Sequence, residues 1–321
     1  MKILFVPVAV LMIVSSAAVY SQEPPQPAPE KPAVASERPM VSTGLGAEAI
    51  ARNHPDAAVW LAAEGQEPTL ALFQPEQELP ARGALVILAD EGVSAASGVV
   101  DALRAPLSRA GWAVMTLGLP APPFAVQEWL RQQNNTVPGA GTEPAGEPAD
   151  AQGEETDQEQ EPEEKSSVMI NVMESVPPDK ALEQYRETVM ASLDAAVDAL
   201  QEREYKRIVL VGVGRAAGHV TRQVRADGRA SDLIWIAPRF YIDESAGLTE
   251  LLAAARSPSI LELYSTFPGD KTLDRVARER EAAMERSGIS GYERQPVAMA
   301  RQPQAREARK LSNRISAWLK R

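Results

Sequence analysis

Short apolar runs alternate with longer amphipathic segments along much of the chain. Residues 84–88 form a continuous apolar run, which is typical of a parallel strand that is buried on both faces. Residues 179–203 instead repeat apolar side chains at spacings of three and four, which predicts a long amphipathic helix. This alternation predicts an α/β protein in which helices cover a mostly parallel sheet.

The predicted elements begin with three strands and then alternate between helix and strand. Strands are predicted at 59–61, 69–73, 84–88, 112–117, 207–211, 233–236, 259–264 and 292–298. Helices are predicted at 96–110, 179–203, 216–226, 247–255, 271–286 and 303–320. A short connection at 64–68 favours a hairpin between the first two strands. We expect one doubly wound sheet with right-handed crossovers between its parallel strands.

Two segments do not fit this pattern. Residues 22–56 are rich in proline and poor in large apolar residues, so we expect a disordered tether. Residues 121–177 form an acidic, low-complexity insertion that we also expect to be disordered. The domain then consists of two parts, 57–120 and 178–321, which together are long enough for a single core.

Charge is concentrated in the insertion. Residues 121–179 contain thirteen Asp and Glu and two basic residues, which alone account for the net charge of −11. The insertion is interpreted as a tolerated loop, and weak cation binding or docking on a basic partner stays open.

Basic residues near the C-terminus are interpreted as a solvated helix face. No base-reading motif accompanies them, so nucleic-acid binding is not expected.

The N-terminus has the features of an export signal. Met1 and Lys2 precede an apolar run at 3–14 and small residues at 15–18, which predicts a signal peptide at 1–21 and a periplasmic location. Cleavage and retention as an anchor both stay open. No other segment approaches the ~20 apolar residues of a membrane-spanning helix, so none is expected in the mature chain.

The most informative segment follows the predicted strand at 207–211. It consists of Gly212, Val213, Gly214, Arg215 and Ala216. Its strand–turn–helix context and spacing match the nucleophile elbow G-x-S-x-G of α/β-hydrolases, which predicts a sheet of that type. Gly214 stands in the serine position and Ala216 in that of the last glycine. The elbow is therefore interpreted as degenerate, with a possible role in ligand binding.

Other groups needed for acyl transfer are also missing. The chain has no cysteine, and its two histidines, His54 and His219, both precede the region where a catalytic base is expected. Glu262, Asp270 and Asp274 are acids near the usual position of the triad acid, but acids are ordinary there. We assign no catalytic residue, no metal ligand and no cofactor.

Two acids follow the early strand at 84–88, where an oxyanion pocket is expected. Asp90 and Glu91 would repel a developing oxyanion at this position. A metal-assisted hydrolase that uses both acids is an open alternative, although loop solvation and helix capping are the more ordinary roles.

The same turn permits a dinucleotide-binding interpretation. Gly212, Gly214 and Ala217 match G-x-G-x-x-A between a strand and a helix. The next predicted strand ends before Arg239 rather than in a ribose-binding acid, although Arg239 could face a 2′-phosphate.

Five segments share a further feature, and they are 85–92, 107–112, 116–120, 208–217 and 257–264. Together they resemble an exported proteobacterial family of α/β-hydrolase-like proteins of unknown function. The resemblance covers about 57–120 and 180–321 and implies an α/β-hydrolase fold, a periplasmic setting and no established substrate. Where such proteins often carry a histidine–glycine pair after the early strand, this chain has Ala89 and Asp90.

The residues favour a non-catalytic binding or scaffolding module of the cell envelope. Its partner would be an envelope protein or a small ligand, neither of which the residues identify. A periplasmic hydrolase of atypical mechanism, acting on an ester or a cell-wall substrate, is the first alternative. A dinucleotide-binding protein that uses the Gly212–Gly214 turn is the second.

Overall fold

A computed structural model describes residues 46–63, 66–136, 176–227, 229–230, 232–253, 258–268 and 270–321. All of these residues lie in one structural unit, Ser42–Arg321. The predicted signal peptide, most of the predicted tether and the acidic part of the insertion fall outside the described residues. Within the described ranges, no helix combines the length and apolarity needed to cross a bilayer.

The described residues form eight strands and eight α-helices. The strands are β1 (Ala58–Leu61), β2 (Thr69–Gln74), β3 (Gly83–Glu91), β4 (Trp112–Leu119), β5 (Ile208–Val213), β6 (Asp232–Ile236), β7 (Ser259–Ser265) and β8 (Tyr292–Val297). The helices are α1 (Ala47–Asn53), α2 (Gly98–Arg109), α3 (Phe124–Thr136), α4 (Pro178–Gln201), α5 (Ala216–Asp227), α6 (Ile242–Ala253), α7 (Lys271–Arg286) and α8 (Ala308–Leu319). A 3₁₀ turn at Ala305–Glu307 precedes α8.

All eight strands belong to one sheet with the order β1-β2-β4-β3-β5-β6-β7-β8. β1 pairs with β2, and β2 with β4, in antiparallel fashion. The remaining neighbours are parallel. The predicted hairpin and the predicted mostly parallel α/β sheet are therefore confirmed.

The central strand β3 has apolar side chains on both faces, as the continuous run at 84–88 predicts. Ala84, Val86 and Leu88 contribute to one apolar cluster, together with residues of α3, α4, α5, α6 and α7. Leu85 and Ile87 contribute to a second cluster, together with residues of α2 and α8. The helices thus bury both faces of the sheet, which is the condition for a stable parallel sheet.

Three helices differ from the sequence-based prediction. The predicted insertion at 121–177 begins with α3, because Val126 and Leu130, one helical turn apart, are buried in the core that α4 covers. The predicted tether ends in α1, where Ile50 packs in a small apolar cluster with residues of β2. α6 begins at Ile242, five residues earlier than predicted.

The early start of α6 depends on Glu244, whose partners include residues distant in sequence. Glu244, in the first turn, accepts a hydrogen bond from the backbone N–H of Tyr241 at 3.2 Å. Its buried carboxylate also lies 3.3 Å from the guanidinium groups of both Arg186 on α4 and Arg222 on α5. These ion pairs join three helices, and nothing in the local pattern of α6 reveals them.

Candidate functional site

The turn between β5 and α5 is sharp and tightly packed. Gly214 has a φ of +59°, in the left-handed region that favours glycine. A Cβ on Gly212 would lie 2.7 Å from the backbone nitrogen of Ala217, because the helix crosses close to the end of the strand. Val213 and Ala216 are buried and belong to the core. This geometry matches the strand–turn–helix arrangement of a nucleophile elbow.

The carboxylate of Asp90 fills the space beside Gly214. A Cβ at Gly214 would lie 2.4 Å from the Cγ of Asp90, well inside van der Waals contact. Asp90 lies near the end of β3, where the pairing with β4 is irregular between Leu88 and Glu91, and its side chain is only 14% exposed. The region that a nucleophilic side chain would occupy at position 214 is therefore already occupied by an anionic group.

Asp90 is held there by three donors. Its Oδ1 accepts hydrogen bonds from the backbone N–H groups of Arg215 at 2.9 Å and Glu91 at 3.0 Å. Its Oδ2 pairs with the guanidinium of Arg239. Arg239 is positioned by its own backbone N–H, which donates to the carbonyl of Gly214 at 3.0 Å. In an active elbow, the N–H after the nucleophile belongs to the oxyanion hole, whereas here it binds Asp90.

Glu91 interacts with different groups. The hydroxyl of Tyr241 donates to Glu91 Oε1, and the guanidinium of Arg215 lies 4.2 Å from the centre of the Tyr241 ring. Burial raises the pKa of Glu91, and it also raises the pKa of the Tyr241 hydroxyl. The Asp90 carboxylate therefore interacts with Arg215 and Arg239, whereas the Glu91 carboxylate interacts with Tyr241.

Among the residues that the structure describes, no group of three or more His, Cys, Asp or Glu is arranged to bind a metal ion.

Other acids considered from the sequence lie beyond the elbow. Glu262 is buried on β7, where it accepts hydrogen bonds from Arg280 at 2.8 and 2.7 Å and from the Tyr292 hydroxyl at 2.5 Å. Asp270 accepts a hydrogen bond from the backbone N–H of Thr272 at 3.0 Å, at the start of α7. Asp274 pairs with Arg278 on the surface of α7.

An arginine follows β8, in the region where a catalytic histidine would be expected from the sequence. Nη2 of Arg301 lies 2.6 Å from Oδ2 of Asp270, an ion-pair contact without hydrogen-bond geometry. His219 is enclosed in α5 and is only 1% exposed. His54 follows the end of α1. Neither histidine lies in the segment after β8.

The sequence predicted the turn and both acids but not their partners. Tyr241 was missed, because the predicted α6 began beyond it. Arg239 was considered only for a 2′-phosphate, whereas it pairs with Asp90. The one available signal was the position of Arg239 directly after a strand next to the elbow strand, since such loops meet at the same edge of a parallel sheet.

With this geometry established, comparison with known proteins identifies the family. The family described as "Protein of unknown function (DUF3530)" matches residues 2–321. The chain belongs to this family. No curated protein matches it in sequence.

Several solved structures have a fold similar to that of this chain. Est1E from Butyrivibrio proteoclasticus is 8% identical, with a TM-score of 0.50 over 82% of this chain and 97% of that one. TT1662 from Thermus thermophilus is 11% identical, with a TM-score of 0.50 over 82% and 98%. A dienelactone hydrolase from Anabaena variabilis is 11% identical, with a TM-score of 0.49 over 82% and 95%. At these identities the similarity shows the fold alone, and this DUF3530 chain has an α/β-hydrolase-like fold.

Proposed function

We propose that this protein is a catalytically inactive α/β-hydrolase-like protein that binds a ligand or partner. The observation that carries the proposal is the position of Asp90, whose carboxylate lies where a nucleophile at position 214 would project. A side chain at that position would have to displace a carboxylate that accepts a backbone hydrogen bond and pairs with Arg239.

The electrostatics of the turn also disfavour acyl transfer. The N–H of Arg215 would stabilise a developing oxyanion only if it were free, and here it donates to a carboxylate. A second anion placed beside Asp90 would be repelled by it. Arg301 cannot act as a general base, because an arginine side chain stays protonated in proteins.

The dinucleotide interpretation has little support from this geometry. A pyrophosphate at the start of α5 would need the backbone N–H groups of the turn. The Asp90 carboxylate already accepts from one of them, and Arg239 pairs with Asp90 rather than facing an open site.

The proposal predicts that the purified protein does not hydrolyse p-nitrophenyl acetate or butyrate above the rate of a heat-inactivated sample. The physical reason is that position 214 carries no nucleophile, that neither histidine lies in the segment after β8, and that the N–H of Arg215 is bound to Asp90. The measurement is release of p-nitrophenolate, with an active esterase of the same fold as the positive control.

Asp90→Asn distinguishes inactivity from an unusual mechanism. It retains the size of the side chain and an oxygen for the Arg215 N–H, but it removes the negative charge. Turnover in the wild-type protein that disappears in Asp90→Asn would establish Asp90 as a reacting group and overturn the proposal. Equal background rates in both proteins are the expected result.

The proposed setting is the periplasm, supported by the export signal at 1–21. We expect the chain in the periplasmic fraction of a bacterial cell, with its N-terminus at or near residue 22. Cell fractionation followed by N-terminal sequencing measures both. A full-length chain that stays in the cytoplasmic fraction would refute this part of the proposal.

A further inference from the structure

A second feature lies beside the elbow. A cavity of about 790 Å³ opens at the carboxyl ends of β6 and β7, between α7 and the segment that links β8 to α8. Asp90 and Arg215 do not line the cavity. Arg239 lines the cavity and also pairs with Asp90 at the elbow. Its volume lies in the range of small-molecule sites in proteins.

The polar part of the wall is formed by a fixed charged group. Arg280 lines the cavity and is largely buried, and its Nε and Nη2 are engaged by Glu262. Its guanidinium is further fixed 5.4 Å from the centre of the Phe240 ring. The carboxylate of Glu262 engages Nε and Nη2 but not Nη1. The group is thus held rigidly, which is the kind of preorganisation that binding sites use.

Positive charge prevails at the cavity. Four arginines line it, with Glu262 as the single acid among the lining residues. Arg239, Arg280 and Arg301 each have an acidic partner. Arg306 is exposed and has no ion-pair partner within the described ranges. Once the paired charges are cancelled, about one positive charge remains, so a monoanion fits the site better than a dianion.

The rest of the wall is mainly apolar. Phe240, Phe267, Leu273 and Val276 line it, and apolar surface exceeds polar surface. Phe267 is 47% exposed, although large apolar side chains are usually buried. An apolar body in the cavity would cover this ring and release the water that now contacts it.

The geometry points to a binding site for a carboxylate that carries an aromatic or branched aliphatic group. The carboxylate would interact with Arg306 and with the guanidinium of Arg280, while the apolar group contacts Phe267 and Leu273. The inference rests on the proposed binding role of the protein and names the class of ligand. A guanidinium group is suited to this task because its planar donors match a carboxylate.

The test uses 4-phenylbutyrate as the probe and isothermal titration calorimetry of the purified protein as the measurement. We expect saturable 1:1 binding. The neutral 4-phenylbutanamide is expected to bind at least about tenfold more weakly, because it lacks the charge that Arg306 recognises. Inorganic phosphate at the same concentration is expected not to compete.

Two variants and a control locate the site. Arg306→Gln is expected to raise the Kd for 4-phenylbutyrate about tenfold. Leu273→Trp fills the cavity from its apolar wall and is expected to abolish binding while the protein stays folded by circular dichroism. Arg309→Gln removes an exposed arginine that does not line the cavity, and it should leave the Kd unchanged.

Several results would overturn the inference. They are the absence of saturable binding, equal affinity for the amide and the carboxylate, full competition by phosphate, or wild-type affinity in Arg306→Gln or Leu273→Trp. Failure here is distinguishable from failure of the proposed function. Ester turnover refutes the inactive elbow whatever binds in the cavity, whereas a lack of binding without turnover refutes only this ligand class.

Discussion

Gly214→Ala is expected to lower the free energy of unfolding of the wild-type protein by about 2–5 kcal/mol. When the same change is made in the Asp90→Ala variant, we expect it to lower the free energy of unfolding of that variant by only about 1–2 kcal/mol. While Asp90 is present, the methyl group added at position 214 would lie 2.4 Å from the Cγ of Asp90. The alanine would also have to adopt the φ of +59° that Gly214 has. Overpacking costs about 1–3 kcal/mol, and the left-handed conformation costs a further 1–2 kcal/mol or so. Removal of the carboxylate eliminates the first cost and leaves the second.

The measurement is a double-mutant cycle by urea unfolding of the wild-type protein, Asp90→Ala, Gly214→Ala and the double variant. Gly288 supplies the matched control, because it has a φ of +71° and no atom lies within 4 Å of the position that a Cβ would take. Gly288→Ala should therefore show the conformational cost alone, and its effect should add to that of Asp90→Ala. If Gly214→Ala were also additive with Asp90→Ala, Asp90 would not occupy the nucleophile space.

The sheet could be predicted because its strands carry their signal locally. β3, β5 and β6 contain short apolar runs buried on both faces, and such runs are recognisable without knowledge of their neighbours. α4 was equally accessible, because its buried residues recur at helical spacing over 24 residues.

The position of Asp90 could not be predicted in this way. Pairing of β3 with β4 is irregular between Leu88 and Glu91, which changes the direction of the chain just where Asp90 lies. The groups that hold its carboxylate, Arg215 and Arg239, are 125 and 149 residues away. The sequence suggested that Asp90 would oppose an oxyanion, but only the folded chain places the carboxylate against Gly214.

Short helices with few apolar anchors were missed for a related reason. α1 is held by Ile50 and α3 mainly by Val126 and Leu130. One or two apolar residues among proline-rich or polar neighbours do not produce a detectable period. Their burial depends on a complementary surface supplied by β2 and α4, which a local pattern does not contain.

His219 is an unusual buried group. It is 1% exposed, and neither ring nitrogen has a hydrogen-bond partner among the described residues. Its ring lies edge-on to that of Tyr185, with 5.5 Å between the ring centres. Burial, reinforced by the positive charges of Arg186 and Arg222, lowers the pKa of His219 to about 3. The residue is therefore neutral in the folded protein and contributes by packing rather than as a base.

Protonation of His219 is expected to destabilise the protein in mild acid. The unfolded chain takes up the proton near the ordinary histidine pKa of about 6.5, whereas the folded protein does so only near pH 3. The unfolded state thus binds more protons between these values, and stability falls as the pH is lowered through this window. From pH 6 to pH 4 the contribution of His219 is a loss of roughly 2–3 kcal/mol in the free energy of unfolding.

His219→Phe isolates this contribution, because phenylalanine retains an aromatic ring but cannot be protonated. Urea unfolding at several values between pH 6 and pH 4 should show that the variant loses roughly 2–3 kcal/mol less stability than the wild-type protein. Tyr185→Phe is the control, because it removes the hydroxyl that donates to the Pro120 carbonyl at 2.8 Å but leaves His219 in place. Its stability should be lower by a constant amount, with the wild-type pH dependence. Parallel curves for His219→Phe and the wild-type protein would instead mean that His219 is protonated as readily in the folded chain as in the unfolded one.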